Sequence, residues 1–121
     1  MQAKQVLIVD DSPVIVSRLK SLLEGLPGLD SILDAGTYAD AVAILAERSP
    51  HILLLDINLP DHSGIWLLRY VAEKYPSIIV IMISNQTSEY YENICRRLGA
   101  VYFIDKSIDF DKVPAILSTF L

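Results

Sequence analysis

A chain of 121 residues fits one domain and is long enough to bury a core without metal or disulfide staples, and an apolar fraction of 52% excludes a disordered chain. A formal net charge of −5 with no Lys/Arg cluster argues against a phosphate backbone as partner, so no direct nucleic-acid contact is expected. The single cysteine, Cys95, excludes an internal disulfide and a thiolate metal cluster. The first apolar run, Val6-Leu7-Ile8-Val9, is too short for a signal-peptide core or a membrane span, and a cytoplasmic protein without membrane contact is the expectation.

Val6 to Val9 predicts a buried strand closed by Asp10 and Asp11. Ser12 then offers a cap and Pro13 a first-turn residue for a helix with Ile15, Leu19, Leu22 and Leu26 at helical spacing, stopped by Gly25, Pro27 and Gly28. Ser31 to Ala35 is a short strand candidate, weakened by Asp34. Thr37 with Asp40 resembles a capping box before a helix from Tyr38 to Glu47, which Ser49-Pro50 ends. Ile52 to Leu55 is a third strand, and an apolar run of that length reads as buried on both faces. It ends abruptly in Asp56.

After a loop from Asp56 to Ser63, a helix from Gly64 to Lys74 places Leu67, Leu68, Val71 and Tyr75 on one face. Trp66 and Tyr70 are expected on the other, as exposed aromatics that suggest a contact surface. Ile78 to Ile83 is a fourth strand closed by Ser84. Ser88 caps a helix whose stripe is Tyr91, Ile94, Cys95 and Leu98, with Gly99 as its left-handed stop. Cys95 on that stripe is expected to be inert, His51 to be a surface residue, and His62 to be exposed. Val101 to Ile104 is a fifth strand followed by Asp105 and Lys106. The last helix carries Val113, Ile116, Leu117 and Phe120, and it starts near Asp111 so that Pro114 falls in its first turn.

Strand and helix alternate five times with short connections, which implies a parallel sheet covered by helices on both faces. Right-handed crossovers bring every strand's carboxyl end to one edge, and with it Asp10, Asp11, Asp56, Ser84 and Lys106. Carboxylates from two strand ends repel one another in a partly dry cleft, so they require raised pKa values or a cation. A hard divalent ion such as Mg2+ is the simpler solution, held by Asp11, Asp56 and a loop carbonyl such as that of Asn58. With the Lys106 ammonium and the Ser84 hydroxyl, the set describes a site that accepts a phosphoryl group on one carboxylate.

Four pieces then stand in a specific order and spacing. They are Val6-Leu7-Ile8-Val9-Asp10-Asp11, Leu55-Asp56-Ile57-Asn58-Leu59-Pro60-Asp61-His62-Ser63-Gly64, Ile83-Ser84, and Gly99-Ala100-Val101-Tyr102-Phe103-Ile104-Asp105-Lys106. In them the chain strongly resembles the receiver domain of two-component response regulators, over essentially its whole length. The resemblance implies an α/β, doubly wound, five-stranded parallel sheet in the order 2-1-3-4-5, a flavodoxin-like (βα)5 fold, with residues 1–121 as a single receiver domain. It implies Asp56 as phosphoacceptor and Asp10, Asp11, Asp56 and the Asn58 backbone carbonyl around Mg2+, with Asp11 a direct ligand. Lys106 would contact the phosphoryl group, Ser84 would be the switch hydroxyl and Phe103 the switch aromatic. The implied donor is a phosphohistidine of a histidine kinase or phosphotransfer protein, and the implied reader is a downstream protein target or an output domain. The domain would not be an enzyme in the usual sense, but an acceptor that assists its own phosphorylation and dephosphorylation. A homodimer, and a choice between a stand-alone relay and a longer regulator, are left open.

Three positions depart from the family pattern. Ser107 follows Lys106 where proline with a cis bond is usual; a non-proline cis bond costs roughly 2.5 to 4 kcal/mol, so a trans bond is expected. Asn85 replaces the common alanine or glycine after Ser84 and is expected to restrict access to the phosphoryl site. Phe103 lacks the hydroxyl of the commoner tyrosine. Two other functions compete: a Mg2+-dependent phosphohydrolase with Asp56 as nucleophile, and a protein-interaction module that is never phosphorylated.

Overall fold

The computed structural model describes residues 4–85 and 88–121. Five strands alternate with five helices: β1 (Lys4–Val9), α1 (Pro13–Leu23), β2 (Leu29–Ala35), α2 (Tyr38–Glu47), β3 (Ile52–Leu55), α3 (Gly64–Lys74), β4 (Ile79–Ser84), α4 (Glu89–Arg97), β5 (Tyr102–Asp105) and α5 (Val113–Ser118). All the strand pairs are parallel, in the order β2-β1-β3-β4-β5. This is the doubly wound, flavodoxin-like arrangement expected.

Period-2 alternation in the strands divides the core. Leu7, Val9, Leu53, Leu55, Val80 and Met82 face α2, α3 and α4, whereas Val6, Ile8, Ile52, Leu54, Ile81, Ile83 and Ile104 face α1 and α5. The middle strand β3 is buried along its whole length, which is why its sequence is an unbroken apolar run. Register then fixes the functional edge. Val9 pairs with Leu55, Leu55 with Met82, and Ser84 with Asp105, so the residues that follow β1, β3 and β5 emerge side by side.

Several boundaries differ from expectation for identifiable reasons. β2 begins at Leu29, before Ser31, because pairing with β1 extends an edge strand whose own sequence is half polar. Asp34 is tolerated there because it is exposed and meets Lys20 of α1 at 2.6 Å. The buried stripe of α1 is Val16, Leu19 and Leu23, with Ile15 and Leu22 at its margins, a rotation of about one residue from the expected face. Pro114 falls in the first turn of α5, after a single 3₁₀ turn at Phe110–Lys112. His51 is half-buried; its ring Nδ1 accepts from the Gln5 N–H at 3.4 Å, so it is part of the sheet's lower edge and no plain surface residue.

The paired exposure expected of Trp66 and Tyr70 is corrected. Trp66 is 60% exposed, but Tyr70 borders the core stripe and is half-buried, in edge contact with Tyr38 and Tyr75 at centroid distances of 6.4 and 6.2 Å. Cys95 is buried, and burial pushes its thiol pKa up to about 11, which leaves it protonated and unreactive at neutral pH. No peptide bond among the described residues is cis, so Lys106–Ser107 is trans as expected. Among the described residues no helix is long and apolar enough to cross a membrane.

The turn from β3 into α3 is unusually tight. The Gly64 N–H donates to the Ile57 carbonyl at 2.5 Å, Ser63 caps the helix through Ile65, and a Cβ on Gly64 would run into the backbone carbonyl of Asp56. At an open helical position, Gly→Ala gains roughly 0.5 to 1 kcal/mol. Here the sign reverses. Gly64→Ala is expected to lower stability by about 1 to 3 kcal/mol in a urea denaturation curve, because backbone must shift to admit the methyl group. A variant at or above wild-type stability would contradict the close approach.

Candidate functional site

The strand ends place three polar side chains inside the protein: Asp10 is 2% exposed, Asp56 5% and Ser84 0%. Asp10 and Asp56 are anchored by the ladder itself. The Asp10 N–H donates to the Ala35 carbonyl at 3.1 Å and the Asp56 N–H to the Val9 carbonyl at 2.9 Å, continuing the β1–β2 and β1–β3 pairings by one residue. The Asp10 carboxylate is further fixed by accepting from the Ser12 N–H at 2.9 Å, and Asp56 accepts from the Asn58 N–H at 3.4 Å. Asp11, by contrast, is exposed at the mouth.

One carboxylate oxygen from each of Asp10, Asp11 and Asp56 lies within 4.8 Å of the others. The Lys106 ammonium reaches this group from the end of β5, 2.5 Å from Asp10 Oδ2 and 3.1 Å from Asp56 Oδ2, with its side chain only 8% exposed. Its backbone N–H donates to the Ser84 carbonyl at 3.1 Å, which ties the β4 and β5 ends together. Lys106 offsets one of the three negative charges. Two remain, the complement of one divalent cation, and an all-carboxylate donor set suits a small hard ion.

The electrostatics follow from burial. Removal from water raises the pKa of Asp56 above the usual carboxylate value, against the opposing pull of Lys106. For Lys106 burial acts against the charge, yet hydrogen bonding to Asp10 and the attraction of both carboxylates outweigh it and raise its pKa. The pair is a mutually dependent buried ion set. A cleft of about 470 Å3, lined by Asp10, Asp11, Pro13, Val16, Lys20 and Gly36, runs from the acidic cluster along α1.

The structure therefore brings together Asp10, Asp11, Asp56 and Lys106, with Ser84 at the adjoining strand end. Asn58, whose backbone carbonyl was expected near the metal, is exposed in the loop after Asp56, where it forms an antiparallel bridge with Ser63. Phe103 is farther back on β5, opposite Met82, half-buried against the α2–α4 face of the core. Asn85 is exposed just beyond β4.

Two features escaped sequence reasoning. Ser107 donates through both its N–H and its hydroxyl to Asp105 Oδ1, at 2.8 and 2.6 Å, bracing the turn that carries Lys106; the Asp-x-Ser spacing was a readable signal for it. Asp61 reaches across to the start of α2, accepting from the Tyr38 and Ala39 N–H groups at 2.8 and 3.1 Å. No local pattern announces a contact between residues more than twenty apart.

Comparison with known proteins agrees with this geometry. The family model described as "Response regulator receiver domain" matches residues 6–118. The transcriptional regulatory protein DegU of Brevibacillus brevis is 27% identical over 107 residues, covering 88% of this chain and 45% of DegU. A protein-glutamate methylesterase/protein-glutamine glutaminase of Halalkalibacterium halodurans is 33% identical over 120 residues, covering 93% of this chain and 34% of that protein. The crystal structure of a CheY-like response regulator receiver domain protein from Methanospirillum hungatei superposes with a TM-score of 0.86 at 27% identity, covering 98% of this chain and 94% of that one. The chain spans about half or less of the length of curated relatives it matches, 54% of a transcriptional regulatory protein MctR of Rhizobium johnstonii and 22% of a protein-glutamate methylesterase/protein-glutamine glutaminase of Methanospirillum hungatei. With a match running from the first strand into the last helix, the chain belongs to the response regulator receiver domain family.

Proposed function

We propose that this domain is a phosphorylation-switched receiver, in which Asp56 takes a phosphoryl group from a phosphohistidine of a histidine kinase or phosphotransfer protein. The observation that carries the reading is the buried bridge of Lys106 between Asp10 and Asp56, beside a third carboxylate. A surface charge cluster would not be built at such desolvation cost.

In the step itself an Asp56 carboxylate oxygen attacks phosphorus in line, the P–N bond to the donor imidazole breaks, and its electron pair stays on the imidazole nitrogen. The product is an acyl phosphate on Asp56. Asp10, Asp11, Asp56 and the Asn58 carbonyl would hold Mg2+, which when bound screens the charge on the phosphoryl oxygens. Lys106 is already within 3.1 Å of Asp56 and would follow the charge from the carboxylate to the transferred group. The ladder bond from the Asp56 N–H to the Val9 carbonyl and the tight turn at Gly64 keep the nucleophile from moving away as its charge is spent.

The same strand ends support a switch. In this reading Ser84 would turn its hydroxyl toward the new dianion and Phe103 would follow it inward, biasing the surface of α4, β5 and α5. Tyr90 on α4 and Tyr102 on β5 are 69% and 45% exposed and give that surface an aromatic character suited to a protein target or output domain.

The reading is tested by incubating the protein with acetyl phosphate. Wild type is expected to incorporate up to about one phosphoryl group per chain in the presence of Mg2+ and none with EDTA, and Asp56→Asn to fall to background. Incorporation that survives Asp56→Asn overturns the assignment. Asn85 stands beside the Ser84 strand end, so we expect Asn85→Ala to hasten loss of the phosphoryl group by up to about tenfold, equivalent to about 1.4 kcal/mol in the barrier. An unchanged decay rate would show that the amide does not guard the site.

A further inference from the structure

The loop of residues 57–63 between Asp56 and α3 is held at both ends by features already described. Near its base Asn58 bridges Ser63, and the Gly64 N–H closes onto Ile57. Its tip has a different attachment. Asp61 Oδ1 accepts from the Tyr38 N–H at 2.8 Å and Oδ2 from the Ala39 N–H at 3.1 Å, two amides that open α2 and have no partner within that helix. These two bonds hold the carboxylate below the usual pKa range. The His62 ring then rests edge-on against the Tyr38 ring at 4.8 Å, and Tyr38 in turn meets Tyr70 of α3.

α2 does not need Asp61 as its only cap. Thr37 Oγ1 already accepts from the Asp40 N–H at 3.0 Å, in the ordinary manner of a helix N-cap. Asp61 is thus a second acceptor delivered from another part of the chain. A carboxylate is favoured there by the partial positive charge of the helix start. The consequence falls on the loop: its tip is fixed by two donors that belong to a rigid element.

We propose that Asp61 is a positioning residue for the metal site, strapping the loop to α2 so that the Asn58 carbonyl, three residues earlier, is held where a divalent cation between Asp11 and Asp56 can use it. This rests on the Mg2+ reading above. Groups that orient a ligand without touching the ion typically govern 10- to 100-fold in affinity. A strap on the loop tip, one step farther out, is expected at the lower end of that range.

Titration calorimetry with Mg2+ on the intact chain, with folding monitored by circular dichroism, compares wild type with Asp61→Ala, Asp61→Asn and Thr37→Ala. The expected result is a Kd raised about tenfold in Asp61→Ala. Asp61→Asn, which retains one acceptor oxygen and folds more safely, is expected to fall between. Thr37→Ala loses a cap on the same helix and should bind as wild type. Linkage adds a second readout: if the strap favours the ion, the ion favours the strap, so Mg2+ should slow amide exchange at Tyr38 and Ala39 in wild type. Wild type that binds no Mg2+ overturns the metal reading and this inference together. Wild type that binds, with an unaltered Kd in both Asp61 variants or equal weakening in Thr37→Ala, overturns the strap alone.

Discussion

The structure depends on a conflict created by parallel register. Pairing Val9 with Leu55 leaves Asp10 and Asp56 adjacent, buried and of like charge, where water cannot separate them. Lys106 resolves part of that conflict from the end of β5, two places from β3 and three from β1, and it can do so only because β4 ties β5 into the same edge. Breaking such a buried set by removing one member is generally costly, about 3 to 5 kcal/mol, because the charge left behind has no solvent. Stability and the proposed chemistry therefore rest on the same three side chains.

On the proposed function, the residual negative charge is the reason a cation and a phosphoryl group belong in one mechanism. A cluster that Lys106 only partly neutralises is unfavourable until a hard ion joins it, and an ion held by few carboxylates retains room for an incoming phosphoryl oxygen. The raised pKa of Asp56 expresses the same tension: burial penalises the charged form more than Lys106 alone can offset. Around this centre the rigid parts are backbone features, namely the ladder continued through Asp10 and Asp56, the closed turn at Gly64, and the braced turn at Asp105 and Ser107.

What the sequence revealed follows burial. Ile52 to Leu55 was legible because a strand covered on both faces tolerates nothing but apolar residues, and the polar residue that ends each run stood out against it. Asp10, Asp11, Asp56, Ser84 and Lys106 could be gathered on that ground alone. Edges were harder: β2 begins in residues that pairing, and not propensity, makes extended, and Tyr70 borders the core at a helical position that a two-face division assigns to solvent. Asp61 was invisible because its partners, Tyr38 and Ala39, are near it only in the folded protein. In sequence Ser107 registers only as the loss of a proline, whereas its hydrogen bonds to Asp105 supply a different restraint on the same turn.

On the proposed function, the charge conflict at the sheet edge makes the Asp56 carboxylate the group that carries phosphorus. Borohydride reduces an acyl phosphate to an alcohol, so treatment of the phosphorylated protein followed by peptide mass spectrometry reports the modified residue directly. Homoserine is expected at position 56, with aspartate retained at positions 10 and 11. Reduction at another carboxylate, or phosphate found on Ser84 with residue 56 still aspartate, would contradict it.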